Sequence, residues 1–148
     1  MIVIFVTTMN KQFLIDLKRG KIEEKKVFNY YKKYYSNAQH VEGYEKKYDI
    51  IIPEKFSIEV KLDERSKISG NYFIEAFYEN SPSGINATTA KLWVISNGEK
   101  YLFVNTKEIK NAVKNLQLKT VVLHGKEVKF YLVKKNILEE KGGFINLD

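Results

Sequence analysis

A chain of 148 residues, 44% apolar and 29% charged, has the length of one ordinary domain and enough apolar side chains for one packed core. Lacking cysteine, it has neither disulfides nor thiolate metal sites, and no apolar run reaches the ~20 residues that a membrane-spanning helix needs. The net charge of +7 is uneven: residues 11–47 carry ten Lys/Arg against five Asp/Glu, residues 48–80 four against seven, and residues 107–141 nine against four.

An acidic centre thus lies between two basic flanks. Basic flanks attract a polyanion by releasing its counterions, and an acidic centre repels the same polyanion unless it holds cations. The plain alternative is a solvated, lysine-rich surface.

In chain order, the apolar start MIVIFVTTM has no positive stretch before it. It reads as a short buried strand over 2–6, or a disordered start, rather than a secretion signal. Phe13, Leu14 and Leu17 give a first helix over 10–18, which Gly20 interrupts, and a longer helix follows over 21–35. On that second helix Val27, Phe28, Tyr31, Tyr34 and Tyr35 share an arc centred about 180° from Ile22, at 100° per residue. Glu24 falls inside that arc and Glu23 at its edge. A carboxylate on a buried stripe needs a partner or a metal. At a helix N-terminus it can instead stay solvated and be favoured by the helix dipole. The tyrosines could stack on bases, but their match to the stripe favours packing.

Two strands come next, 48–52 and 56–62, joined by a turn at Pro53. In the second, Phe56, Ile58, Val60 and Leu62 alternate with Ser57, Glu59, Lys61 and Asp63. Glu59 and Lys61 therefore project side by side, about 6–7 Å apart at ~3.3 Å per residue. Residues 72–78 form a strand containing Glu75, and Ser81 to Gly84 a turn. Strands at 91–95, with a core Trp93, and at 100–104 flank the turn Asn97-Gly98. Asn105 and Glu108 resemble a capping box for a helix over 106–116. A last pair of strands, near 119–123 and 128–133, flanks His124-Gly125. His40 and His124 are isolated and lack metal-site spacing. Ser83-Gly84 and Thr88-Thr89 suit a phosphate contact and a turn or helix cap equally. There is no repeat, linker or low-complexity stretch. The mixture predicts α/β (α+β) architecture, with a central mixed β-sheet flanked by helices in a single domain over 1–148.

The chemistry-bearing set is Asp49, Glu59 and Lys61. A phosphodiester resists hydrolysis because it is anionic and its leaving oxygen is poor. A divalent ion answers both problems. Mg²⁺ favours carboxylate oxygen and keeps several waters, so carboxylates on adjacent strands suffice to hold it. A neighbouring lysine can orient water or stabilise the transition state, and to act as a base it must have a lowered pKa. Without any further pattern, the three charges suit a solvent-facing strand with an ion pair.

Asp49-X9-Glu59-Val60-Lys61, preceded by Glu24 on a helix, resembles the PD-(D/E)XK nuclease superfamily, whose order is helix with Glu, strand with Asp, strand ending (D/E)-X-K. Gly70 to Glu75, Pro82-Ser83-Gly84-Ile85 and Thr88 to Ile95 are similar to a branch found in small phage and archaeal-virus proteins, including junction-resolvase-like endonucleases. The resemblance covers about residues 20–116. It implies a restriction-endonuclease-like core and Mg²⁺-dependent cleavage of DNA, with Mn²⁺ able to substitute. It implies that Asp49 and Glu59 ligate the metal, that Lys61 is the catalytic lysine, and that Glu24 completes the metal shell directly or through water. A resolvase would be a homodimer, because two strands must be cut symmetrically, and would work in the cytoplasm of the cell or of a viral host, without a membrane. Tyr48 stands where the motif has proline. Glu75 lies outside the motif and either contacts the site or faces solvent. Asp63 begins the following loop. The rival readings are a catalytically inactive nucleic-acid-binding module of the same fold and an interaction protein with a basic surface.

Overall fold

The computed structural model describes residues 2–43 and 47–147, with side chains in the first helix from Gln12 onward except Phe13. The elements run α1 (Ile2–Tyr34), β1 (Gln39–His40), β2 (Ile50–Ile52), β3 (Phe56–Leu62), α2 (Ser66–Ser69), β4 (Asn71–Tyr78) and β5 (Ser81–Pro82). They continue β6 (Leu92–Ser96), β7 (Tyr101–Asn105), α3 (Thr106–Val113), β8 (Lys119–Leu123), β9 (Lys126–Lys134), α4 (Lys135–Lys141) and β10 (Gly143–Ile145). The class is mixed α/β, with a mixed sheet and helices, as the patterning predicts.

One six-stranded sheet has the order β1-β2-β3-β6-β7-β10. Its β3 and β6 are parallel, with Glu59 beside Trp93 and Lys61 beside Ile95, and its other neighbours are antiparallel. A second, antiparallel sheet has the order β5-β4-β9-β8, where a single central sheet is expected from sequence. The excursion from β3 back to parallel β6 runs through β4 and β5 of that second sheet rather than through a long helix. Strand patterning identifies strands but not which edge each one joins, so it cannot divide them between two sheets.

Each face of the six-stranded sheet buries a core. On one, α1 packs Val27 and Tyr31 against Ile50, Ile58, Val60 and Phe103. On the other, Trp93, Ile95 and Leu102 meet Tyr72 and Ile74 of the second sheet, with Ile109 and Leu138 from α3 and α4. Full burial of a side chain of this size contributes roughly 1.5–3 kcal/mol, so these two layers dominate the stability. Trp93 is core, as expected.

Three local expectations are corrected. The strand over 2–6 is helical backbone, the start of α1. Extending an existing helix adds one hydrogen bond per residue fixed, whereas a strand needs an edge to pair with. Gly20 does not interrupt α1. An interior glycine costs roughly 1 kcal/mol, less than breaking the hydrogen-bond ladder of a 33-residue helix. Tyr34, expected on the buried stripe, is 68% exposed, while Tyr31 and Tyr35 of the same turn pack against Phe56 of β3. Asn105 does sit at the N-cap of α3, but its side chain makes no capping bond.

Candidate active site

The hairpin β2–β3 positions the acidic residues. Its register pairs Ile50 with Ile58, and both face α1. Side chains alternate along a strand, so the next pair, Asp49 and Glu59, faces away from α1. Asp49 continues the ladder by one residue: its amide donates to the Ile58 carbonyl at 2.8 Å, and its own carbonyl accepts from Val41 at 2.8 Å. Its side chain folds back, with Oδ2 accepting from the Val60 amide at 2.7 Å. Asp49 is only 2% exposed.

Glu59, two residues before Lys61 on the same face, has a side chain 14% exposed. Its Oε2 lies 3.3 Å from Lys61 Nζ, and its Oε1 lies 3.4 Å from Thr88 Oγ1. Burial pushes its pKa up to about 7. Lys61 opposes the rise, while Asp49, in hydrogen-bonding reach, adds to it. For Lys61 burial disfavours the charged form, but Glu59, Glu75 and Asp49 outweigh it and its pKa is raised. The lysine therefore stays an ammonium at neutral pH. Its Nζ also stands 5.7 Å from the centre of the Trp93 ring, in the range of a cation–π contact. The expected trio of Asp49, Glu59 and Lys61 is thus brought together.

Glu24 is not brought to that pair. It lies on the α1 side, where its Oε1 is 3.1 Å from His40 Nε2. His40, opposite Ile50 in the ladder, stacks on Phe28. Among the described residues no three His, Asp or Glu side chains stand close enough to hold a metal ion together. Glu23, expected only at the edge of the stripe, is 7% exposed and accepts a 2.6 Å hydrogen bond from the Tyr101 hydroxyl. The tyrosine supplies the polar partner that a buried carboxylate needs.

Two site neighbours come from far along the chain. Glu75 reaches Lys61 electrostatically from the second sheet. Its backbone is fixed by Gly84, which has a positive φ of 49°; a Cβ there would come within 2.1 Å of the Glu75 carbonyl oxygen. Thr88 bonds Glu59 from the segment before β6. Sequence offered a weak signal for both: a charge inside a strand, and a hydroxyl pair after a glycine turn. Asp63, on the same strand face as Lys61, is structural. Its Oδ1 accepts from the Ser66 amide at 3.2 Å and its Oδ2 from the Phe73 amide at 2.7 Å, tying β3 to α2 and β4. Its pKa is raised by burial, which outweighs those two donors. His124 pairs with Asp16 of α1 at 3.3 Å, on exposed surface.

The donor set suits a hard divalent cation. Two carboxylates supply oxygen ligands, and Mg²⁺ is commonly held by one or two carboxylates while keeping several waters. Buried Asp49 and half-buried Glu59 share one ammonium here, so a cation between them would relieve their repulsion. No family model, no curated protein and no solved structure matches this chain. Among the described residues no helix is long and apolar enough to cross a membrane.

Proposed function

We propose that this protein is a Mg²⁺-dependent endonuclease that hydrolyses DNA phosphodiesters at Asp49, Glu59 and Lys61, with Mn²⁺ able to substitute. The observation that carries the reading is the buried Asp49–Glu59 pair with Lys61 Nζ 3.3 Å from Glu59. Two carboxylates held close in partial burial repel each other, a bound cation relieves that repulsion, and perturbed carboxylates cluster at functional sites. The order helix with Glu24, strand with Asp49, strand with Glu59 and Lys61 agrees with the PD-(D/E)XK resemblance, and the basic flanks suit a polyanion.

Asp49 and Glu59 would hold the ion, which supplies charge neutralisation at the phosphate and makes the attacking water more acidic. Glu24 would contribute only through water or after a rearrangement. Lys61, held as an ammonium, would stabilise negative charge on the phosphate rather than accept a proton. Binding of the ion displaces the Glu59 proton, so metal affinity should rise with pH through about 7 and level off above it. Selectivity for branched DNA and action as a homodimer extend the same reading.

The alternative is an inactive nucleic-acid-binding module of this fold, which the separation of Glu24 from the pair would favour. Incubation with supercoiled and four-way DNA in Mg²⁺ or Mn²⁺ separates the two. The wild type should nick or cut, and Lys61→Ala should lose at least about 100-fold in rate while keeping its circular dichroism. Equal rates for both proteins would overturn the assignment.

A further inference from the structure

We infer that Thr88 is a positioning residue for Glu59, orienting its carboxylate and so setting the metal affinity of the site; this rests on the metal-site reading above. Three polar atoms converge on its hydroxyl. Ala90 donates its amide to Oγ1 at 3.1 Å, the Lys47 carbonyl lies at 3.2 Å, and Glu59 Oε1 lies at 3.4 Å. A threonine hydroxyl has one proton to give and two lone pairs. Ala90 uses a lone pair, so the single proton is shared between the Lys47 carbonyl and the Glu59 carboxylate.

The Lys47 carbonyl has a second donor, the Thr89 amide at 3.1 Å. It remains satisfied when the hydroxyl turns away. On Glu59, Lys61 approaches the other oxygen, Oε2. A hydrogen bond to an ionised carboxylate is roughly twice as strong as a neutral one. The hydroxyl proton is therefore worth more on the Glu59 carboxylate than on the Lys47 carbonyl. It fixes the plane of the carboxylate, because Thr88 holds one oxygen and Lys61 the other.

Partners of this kind typically change metal affinity by about 10–100-fold when removed. The variants are Thr88→Val, which keeps the shape and deletes the hydroxyl, and Thr88→Ser, which restores it. Each is titrated with Mn²⁺ by calorimetry at pH 8, and DNA cleavage is followed against metal concentration. The expected result is a roughly tenfold weaker Mn²⁺ affinity in Thr88→Val. The cleavage rate at saturating metal should be nearly unchanged, and Thr88→Ser should return to wild-type values. A Thr88→Val protein with wild-type metal affinity overturns the inference, even if it is less stable through the orphaned Ala90 amide. Absence of Mn²⁺ binding by the wild type instead overturns the metal-site reading itself.

Discussion

The two faces of the six-stranded sheet treat buried carboxylates in opposite ways. On the α1 face, Glu23 is bonded by the Tyr101 hydroxyl and Glu24 by His40. Each acid has a neutral or basic partner of its own. On the other face, Asp49 and Glu59 confront each other and share Lys61; burial, with Asp49 adding to it and Lys61 opposing it, pushes the Glu59 pKa up to about 7. The α1 face is resolved electrostatics, the expected outcome of selection for stability. The other face keeps a conflict between like charges, and such conflicts concentrate where a ligand settles them.

The strongest way to break this comparison is Glu59→Gln. Glu59 has a folded pKa above its unfolded value of 4.5, so its contribution favours folding below about pH 4.5 and is lost as pH rises through about 7. Without metal, the wild type should therefore become less stable from pH 5 to pH 8 by on the order of 2 kcal/mol relative to Glu59→Gln. Thermal unfolding across that range measures it. Parallel curves for the two proteins would show that Glu59 is not held at a raised pKa. At pH 8, Mg²⁺ at about 100 times its dissociation constant should restore roughly 2.7 kcal/mol to the wild type and little to the variant.

A sharper contrast comes from Glu24→Gln, which retains the shape and a hydrogen-bonding group beside His40. It should change stability by less than about 1 kcal/mol and leave Mn²⁺ affinity within a few-fold of wild type. Loss of Mn²⁺ binding in calorimetry would show instead that Glu24 joins Asp49 and Glu59 once an ion is bound. The smallest effect is expected at the exposed pair Arg19–Glu64, whose side chains are 48% and 36% exposed. Arg19→Ala should shift chemical denaturation by no more than about 0.5 kcal/mol.

How much of this was legible in the sequence differs by element. The hairpin carrying Asp49, Glu59 and Lys61 could be read because strand alternation is strictly local: apolar Phe56, Ile58 and Val60 leave one direction for the charges between them. The helical wheel found the right face of α1, where Val27 and Tyr31 are buried. It misjudged the edge, placing Tyr34 inside and Glu23 at the margin, because the depth of a helix face depends on where the sheet beneath it ends. The element α4 and the short edge strand β10 were missed, since seven and three residues leave little periodic signal.

By itself, the sequence determined the mixed architecture, the hairpin, the acidic centre between basic flanks, and the shared face of Glu59 and Lys61. Each follows from periodicity or composition over a few residues. Only the tertiary structure decided that Glu24 and the Asp49–Glu59 pair lie on opposite faces of one sheet, that the strands divide into two sheets, and that Glu75 and Thr88 come to the site. Those outcomes depend on register and on contacts between residues 16 to 29 positions apart, such as Glu24 with His40 and Glu59 with Thr88. The packing of whole layers sets such contacts, and no local pattern encodes them.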